Sequence, residues 1–344
     1  MSVEFNDEKF LVEDGFLDLG ILGIKQISNI IGLNEIKNLT HLELSSNEIK
    51  DITGLENLTE LVILNLGSNI ITEIQGLENL EHLETLHLIS NQISEIKGLD
   101  NLNNLKELYL RGNLITKIEG LENLTKLVKL DLSWNQISEI EGIKSLKNLE
   151  VLWLAGNLIS EIKGLENLNK LEILNLAGNQ IQQVSGLNNL RNLQELYLNN
   201  NLIEGVKNLE NMEDLETLWL NGNQLSSIEG LDNCNNLETL NLKENAILQI
   251  RGLYSLKNLK NLYLSSNKIQ YITGLESLTN LETLDLNNNM IKKIKGLESL
   301  TNLSSLWLKG NPIDEGLLWE LGGLDSSGFA NNPRKFIEYC LIHL

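Results

Sequence analysis

The sequence LKELYLRGNLITKIEGLENLT, which runs from Leu105 to Thr125, decides the fold because its apolar residues follow two different spacings. Leu108 and Leu110 alternate with polar residues, which is the pattern of a strand with one buried face. In the segment GLENL the leucines lie three apart, which favours a short helical turn. Asn113 stands between the two patterns and interrupts an otherwise apolar series.

This asparagine recurs every 22 residues without an insertion, so the pattern L-x-x-L-x-L-x-x-N is present in thirteen copies. A fixed period of this length is the signature of a repeat architecture. One repeat has too few aliphatic side chains to offset the entropy of ordering 22 residues, so the repeats must stack. The repeated residues are Asn47, Asn69, Asn91, Asn113, Asn135, Asn157, Asn179, Asn201, Asn223, Asn245, Asn267, Asn289 and Asn311.

The thirteen copies resemble the leucine-rich repeat family over residues 17–311. The pattern N-x-I-x-x-I-x-G-L-x-x-L most resembles the 22-residue subclass typified by the leucine-rich regulatory subunit of type-1 protein phosphatase. The resemblance implies an α/β fold, namely a curved right-handed solenoid. It would have a parallel β-sheet on the concave side, short helical turns on the convex side, and a cap at each end.

The repeated asparagines have a structural explanation. An inward amide can accept from and donate to neighbouring backbone groups, and successive copies can form a ladder along the solenoid. A buried amide is costly unless its hydrogen bonds are satisfied. Thirteen copies in register therefore predict thirteen equivalent structural sites and no catalytic role.

The two ends of the chain depart from the repeat. Residues 1–16 are predicted to form an N-terminal cap, and 17–311 the solenoid, which begins with one degenerate turn. A C-terminal helical cap is predicted over 312–344, with helices over 314–321 and after Asn332-Pro333, where proline occupies a first-turn position. The apolar residues expected to cover the ends of the core are Phe5, Phe10 and Phe16, and then Phe336, Ile337, Cys340 and Leu341.

Two substitutions inside the repeats are read as structural. Asn208 replaces the glycine of its repeat, and the turn is expected to survive because asparagine tolerates left-handed backbone. Cys234 falls in a leucine column and is interpreted as a small core residue, not a nucleophile. Two cysteines do not make a disulfide framework or a zinc cluster.

The charge balance of 27 basic against 47 acidic residues gives a net charge of −20, which opposes binding to nucleic acid or anionic lipid. The N-terminal sequence MSVEFNDEKF has acidic residues where a signal peptide needs basic and then apolar ones. No apolar run reaches membrane-spanning length. We therefore expect a cytoplasmic protein that is a monomer by itself.

The variable positions of the predicted strands are the candidates for function. The position four residues before each asparagine is rich in tyrosine and tryptophan, which are enriched at interface hot spots. Thirteen such positions would span roughly 58 Å at the usual strand spacing. The aromatic residues are expected to anchor a protein partner and the charged ones to fix its register. The predicted partner-binding residues are Tyr109, Arg111, Lys129, Asp131, Trp134, Trp153, Tyr197, Trp219, Tyr263, Asp285 and Trp307.

The sequence contains no phosphate-binding loop of the G-x-x-x-x-G-K-[ST] type. The histidines are too dispersed for one metal site, and an open sheet offers little burial to shift a carboxylate pKa. No catalytic residue, metal or cofactor is predicted.

Two functions remain open at this point. The first is a non-catalytic scaffold that binds a partner protein in its groove, as the phosphatase subunit does. The alternative is a regulatory or sensor segment of a GTPase or other signalling assembly. Cell-surface adhesion, as in bacterial leucine-rich invasion proteins, would need a secretion signal.

Overall fold

A computed structural model describes residues 1–209 and 211–343. The chain divides into two compact units. Unit 1 comprises Met1–Ile159 and Lys163–Leu171, and unit 2 comprises Ser160–Ile162 and the chain from Glu172 onward.

Unit 1 begins with an antiparallel hairpin and continues as parallel strands in chain order. The first and last of these parallel strands are β3 and β9, and Leu108 of β7 lies opposite Leu130 of β8, one repeat later. Two short 3₁₀ segments, Ile27–Asn29 and Leu33–Glu35, lie in the degenerate first turn. The strands are β1 Ser2–Phe5, β2 Glu8–Leu11, β3 Phe16–Asp18, β4 His41–Glu43, β5 Ile63–Asn65, β6 Thr85–His87, β7 Glu107–Tyr109, β8 Lys129–Asp131 and β9 Val151–Trp153.

Unit 2 has the same construction and ends in two α-helices. Its strands are again parallel and in register at one repeat per step. The elements are β10 Ile173–Asn175, β11 Glu195–Tyr197, β12 Thr217–Trp219, β13 Thr239–Asn241, β14 Asn261–Tyr263, β15 Thr283–Asp285, β16 Ser305–Trp307, α1 Glu315–Glu320 and α2 Pro333–Ile342.

Each three-residue strand buries its central leucine and directs its outer residues to the opposite face, as the period of two requires. The return segment, which connects each asparagine to the strand of the next repeat, is built from single turns. In the repeat quoted above, the Leu124 amide donates to Leu121 and the Leu127 amide to Leu124, at 3.1 and 3.0 Å. These i→i+3 bonds confirm leucine-rich solenoid geometry, although the predicted helical segments are only one turn long.

The asparagine side chains link each repeat to the one before it. The amide nitrogen of Asn113 donates to the carbonyls of Leu110 in its own repeat and Leu88 in the preceding one, both at 2.9 Å. Its carbonyl oxygen accepts the Ile93 amide at 3.0 Å. The Leu110 carbonyl also accepts the amide of Asn135, so each such carbonyl serves two rungs of the ladder.

Left-handed backbone precedes the ladder and also starts the return segment. The residue before each ladder asparagine has a positive φ; the first along the chain is Ser46 at 56° and the last is Gly310 at 73°. In the return segment Gly142 has φ +71°, and a Cβ there would lie 2.1 Å from the Ile118 carbonyl oxygen. Asn208 replaces the corresponding glycine with φ 63°, so the left-handed turn survives as predicted. Its side chain donates to the Val184 carbonyl at 2.8 Å.

The N-terminal segment pairs with the first turn through Glu4 and Ile31, whose backbone groups exchange two hydrogen bonds of 2.9 Å. Val3 is buried at 1% exposure, whereas Phe16 is 45% exposed. The expectation that phenylalanines cover the core at this end was wrong for Phe16, because the β3 register turns that side chain outward and buries Leu17.

At the C-terminal end, α1 is capped by Asp314, whose carboxylate accepts the Leu317 amide, and α2 starts at Pro333. Phe336, Ile337 and Cys340 of α2 are buried, but Leu341 is 52% exposed. Three of the four residues predicted to seal this end do so, and Leu341 falls on the outer face of the helix. The domain boundaries at 16 and 311 stay predictions.

Asn113→Ala should lower the free energy of unfolding by roughly 1–3 kcal/mol, because the buried Ile93 amide loses its acceptor. The carbonyls of Leu88 and Leu110 each keep a second amide donor, so they contribute less. Asn123→Ala is the control, since that exposed side chain makes one bond of 3.3 Å and should cost under about 0.5 kcal/mol. Urea denaturation measures both, and equal losses would contradict the ladder as the stabilising feature.

Candidate functional site

The strand face of each unit is defined here as the side of its sheet on which the first and third residues of every parallel strand project. Most of these side chains are half-buried, since neighbouring strands lie close enough for cross-strand contact. None of them is needed to fill the leucine core. The strand face is therefore where residue types are free to serve binding.

An aromatic series lies on the strand face of unit 1. The His87 and Tyr109 rings stack with centroids 4.6 Å apart and planes inclined by 2°. The Tyr109 and Trp153 centroids are 6.5 Å apart with planes inclined by 25°, although one strand separates their own strands. That intervening strand, β8, carries Asp131 at the central position. The two rings therefore lean toward each other over an aspartate.

Glu107 ties Tyr109 to Lys129. The Tyr109 hydroxyl donates to Glu107 at 2.8 Å, and the Lys129 ammonium lies 2.9 Å from the other carboxylate oxygen. Burial, the Glu107 bond and the charges of Glu107 and Asp131 together raise the pKa of Tyr109 well above its ordinary value. Burial would raise the pKa of Glu107, but the bonds from Lys129 and Tyr109 outweigh it and lower that pKa. Burial lowers the pKa of His87 against the opposing charges of Glu107 and Glu43.

The remaining predicted residues of unit 1 differ in their availability. Asp131 accepts the Ser133 amide at 2.9 Å and forms no ion pair with the described residues. Arg111 is exposed and likewise has no ion-pair partner in the part of the chain that the structure describes. Lys129 is already paired with Glu107. Of these three predicted residues, Asp131 and Arg111 are therefore the ones that a partner could engage directly.

Trp134 lies at the edge of the strand face, not on it. It is 60% exposed and has φ 57°, a backbone conformation that bulky residues rarely adopt. Its ring covers Gly156, where an added Cβ would lie 2.8 Å from the Trp134 Cδ2 atom. The glycine is what allows the indole to lie flat against the next repeat.

The strand face of unit 2 has a second aromatic pair. Tyr197 and Trp219 are 5.5 Å apart in an edge-to-face arrangement, and Trp219 is 38% exposed. The Tyr197 hydroxyl donates to Glu195 at 2.6 Å. Burial, followed by this bond and the Glu195 charge, raises the pKa of Tyr197 to about 12. The Glu107–Tyr109 arrangement of unit 1 is thus repeated here.

Farther along unit 2 the predicted residues are occupied by groups of the chain itself. Lys243 lies 3.0 Å from a carboxylate oxygen of Asp285 and 5.1 Å from the centroid of the Tyr263 ring. Asp285 is only 6% exposed. Trp307 packs edge-to-face against Phe329, with centroids 5.2 Å apart. Phe329 lies outside the repeats, so no periodic signal in the sequence could have indicated this contact.

Cavities of the described residues occur away from the strand faces. One of about 570 Å³ lies among return segments of unit 1 and is lined by residues that include Glu122, Lys144 and Lys163. Among the described residues no group of three His, Cys, Asp or Glu side chains is placed to hold a metal ion. Neither described α-helix, of six and ten residues, has the length and apolarity to cross a membrane.

A family profile described as Leucine Rich repeats (2 copies) matches the chain in overlapping windows from residue 37 to 277 and again over 279–317. The chain therefore belongs to the leucine-rich repeat family. This fold is typical of protein–protein interaction domains, and its members are generally non-catalytic scaffolds. A comparison with curated protein sequences finds no match.

Several solved structures are similar over most of the chain. An internalin (InlF) from Listeria monocytogenes is 32% identical, with TM-score 0.77, over 85% of this chain and 86% of that one. The leucine-rich repeat protein LIC12759 from Leptospira interrogans is 30% identical, with TM-score 0.78, over 89% and 78%. TLR13, in a complex with ssRNA13, is 25% identical, with TM-score 0.67, over 87% and 50%. These matches establish the repeat family but not a relation to the phosphatase subunit.

Glu195→Gln should lower the pKa of Tyr197 below about 12, because it removes the acceptor charge, yet leave it above the ordinary tyrosine value, because burial persists. A pH titration of tyrosinate absorbance measures the shift, and subtraction of the Tyr197→Phe titration assigns it. The exposed Glu216 provides the control variant Glu216→Gln, which should titrate as wild type. An unchanged Tyr197 titration in Glu195→Gln would contradict the hydrogen bond.

Proposed function

We propose that the protein is a non-catalytic interaction scaffold that binds a partner protein through its strand faces. The observation that carries this proposal is the contrast within unit 1 between core and face. The core positions are uniformly aliphatic, whereas the face has stacked His87, Tyr109 and Trp153 near Asp131, which accepts the Ser133 amide and has no ion-pair partner among the described residues. Half-buried aromatic anchors beside a few charged groups are the composition of interface hot spots.

Charge favours a protein over a nucleic acid as the partner. The TLR13 structure holds single-stranded RNA, so this type of solenoid can bind a polyanion. The present chain has a net charge of −20, and the predicted face residue Lys129 is already neutralised by Glu107. Polyanion binding depends on cationic side chains that displace counterions. A partner with basic or neutral side chains fits the face of unit 1 better.

More specific roles are hypotheses within this proposal. A phosphatase-regulatory role and a role as the sensor segment of a GTPase assembly both use the same kind of face. A cytoplasmic location and a monomeric state belong to the proposal as well. Identifying the captured partner distinguishes the two roles, and light scattering of the purified chain tests the monomer.

Tyr109→Ala combined with Trp153→Ala should lose partner capture from source lysate, and Tyr197→Ala combined with Trp219→Ala should weaken it. Each double variant removes two aromatic anchors, and truncation of one hot-spot residue typically lowers the binding free energy by about 2 kcal/mol or more. Quantitative mass spectrometry of the captured proteins, with wild type as reference, gives the measurement.

The control is Tyr254→Ala combined with Tyr271→Ala, which removes two exposed tyrosines at 66% and 63% exposure that lie outside the strands. The control should retain the partner. Capture that survives both strand-face variants, or that is lost only in the control, would overturn the proposal. Unfolding curves of all variants must overlay that of wild type for the comparison to count.

A further inference from the structure

The central column of the strand face is the series of residues that lie four positions before the ladder asparagines. On three successive strands this column reads tyrosine, aspartate and tryptophan, and it does so twice. In unit 1 it is Tyr109, Asp131 and Trp153, and the same set lies seven repeats later in unit 2. The second set is Tyr263, Asp285 and Trp307. Two copies of one arrangement allow their surroundings to be compared position by position.

In unit 2 the arrangement is filled by a cation of the chain itself. The Lys243 ammonium lies over the Tyr263 ring and forms an ion pair of 3.0 Å with Asp285. A cation within about 6 Å of an aromatic centroid is attracted by the negative face of the ring. The tyrosine and the aspartate of this set therefore bind a cation of the chain itself, while Trp307 packs against Phe329.

In unit 1 no cation of the described residues fills the corresponding place. The residue that matches Lys243 is Ile89, which cannot pair with a carboxylate. Asp131 is half-buried and has no ion-pair partner among the described residues, whereas its counterpart Asp285 is almost fully buried beneath its lysine. Arg111, which lies in the preceding repeat, is exposed and has no ion-pair partner among the described residues.

The ring geometry of unit 1 suits a flat cation. The Tyr109 and Trp153 centroids are 6.5 Å apart, so a cation lying against both rings is within cation–π range of each. Their planes are inclined by only 25°, which favours a planar group over a spherical one. The His87 ring stacks on Tyr109, and burial lowers the pKa of that imidazole. A guanidinium is planar, stacks on aromatic faces and forms strong hydrogen bonds to a carboxylate.

We propose that Tyr109, Asp131 and Trp153 form a receptor for the guanidinium group of an arginine on the partner protein. Asp131 accepts hydrogen bonds from the guanidinium, and the two rings cover its faces. Lys129 does not compete for Asp131, because Glu107 holds it at 2.9 Å. The inference rests on the proposed function, since it names the chemistry by which one strand face recognises its partner.

The direct test uses N-acetyl-arginine methylamide as the probe and the indole N–H resonance of Trp153 as the readout, assigned with Trp153→Phe. The arginine probe should shift this resonance to saturation, while the matching citrulline probe, which has the same shape without charge, should not. The lysine probe should bind more weakly than arginine. Equal binding of arginine and citrulline, or tighter binding of lysine, would overturn the guanidinium assignment.

Two matched variants locate the site. Asp131→Asn should weaken the arginine probe by at least about tenfold, the ratio expected for loss of one hydrogen bond to a charged group. Ile89→Lys supplies the cation that unit 2 already has and should also weaken the probe, whereas Ile89→Met should not. Unchanged binding in both Asp131→Asn and Ile89→Lys would place the arginine elsewhere and overturn the proposal.

The same variants separate this inference from the proposed function. Loss of partner capture in Asp131→Asn and Ile89→Lys, with Ile89→Met unaffected, supports the arginine receptor. Capture that depends on Tyr109 and Trp153 but is insensitive to Asp131→Asn and Ile89→Lys would retain the scaffold and eliminate the arginine. Partner capture that is unchanged by substitutions at Tyr109, Trp153, Asp131 and Ile89 would show that the partner does not bind the strand face of unit 1.

Discussion

Sharing of backbone carbonyls between successive asparagines is the constraint on which each unit depends. The Leu110 carbonyl accepts one bond from Asn113 of its own repeat and one from Asn135 of the next. Those bonds require the same spacing from strand to asparagine in successive repeats, because one residue added between them would move the amide out of reach. That spacing is the same in all thirteen copies. Left-handed backbone before each asparagine is part of the same arrangement, and Trp134 shows that even an indole is accommodated there when the next repeat has a glycine.

The ladder and the leucine core form without the side chains of the strand face, whose aspartates and asparagines make local bonds such as that of Asp131 with the Ser133 amide. Leucine, isoleucine and asparagine positions are fixed by burial and by hydrogen bonds, so their residue types hardly vary along the chain. The central face column instead alternates between aromatic and polar residues. Chemistry on this face can therefore change from one repeat to the next while the fold stays the same. That separation is the physical reason for seeking function on the face and not at the asparagines.

The parts of the structure that repeat every 22 residues could be predicted from the sequence. Contacts that do not repeat could not be predicted. The strands, the solenoid and the left-handed turn at Asn208 follow from spacing and from residue chemistry. The pairing of Lys243 with Asp285 spans two repeats and depends on how a long side chain lies over Tyr263. Phe329 reaches Trp307 from outside the array, and Val3 instead of Phe16 is buried at the other end. Such contacts depend on rotamers and on non-repeating segments, for which a periodic pattern contains no information.

Comparison of equivalent residues in different repeats identifies functional candidates that the period alone does not reveal. The Tyr–Asp–Trp sets of the two units share residue type and strand register, but their surroundings differ in the flanking column and in the contact of Trp307 with Phe329. Position 243 has a lysine where position 89 has an isoleucine, and only the aspartate beside the lysine is paired and almost fully buried. Paired with its own lysine, Asp285 offers no charge to a partner, whereas Asp131 keeps its charge available within the same kind of aromatic surroundings. The lysine at position 243 thus accounts for the ion pair of Asp285, and the isoleucine at position 89 supplies no such partner for Asp131.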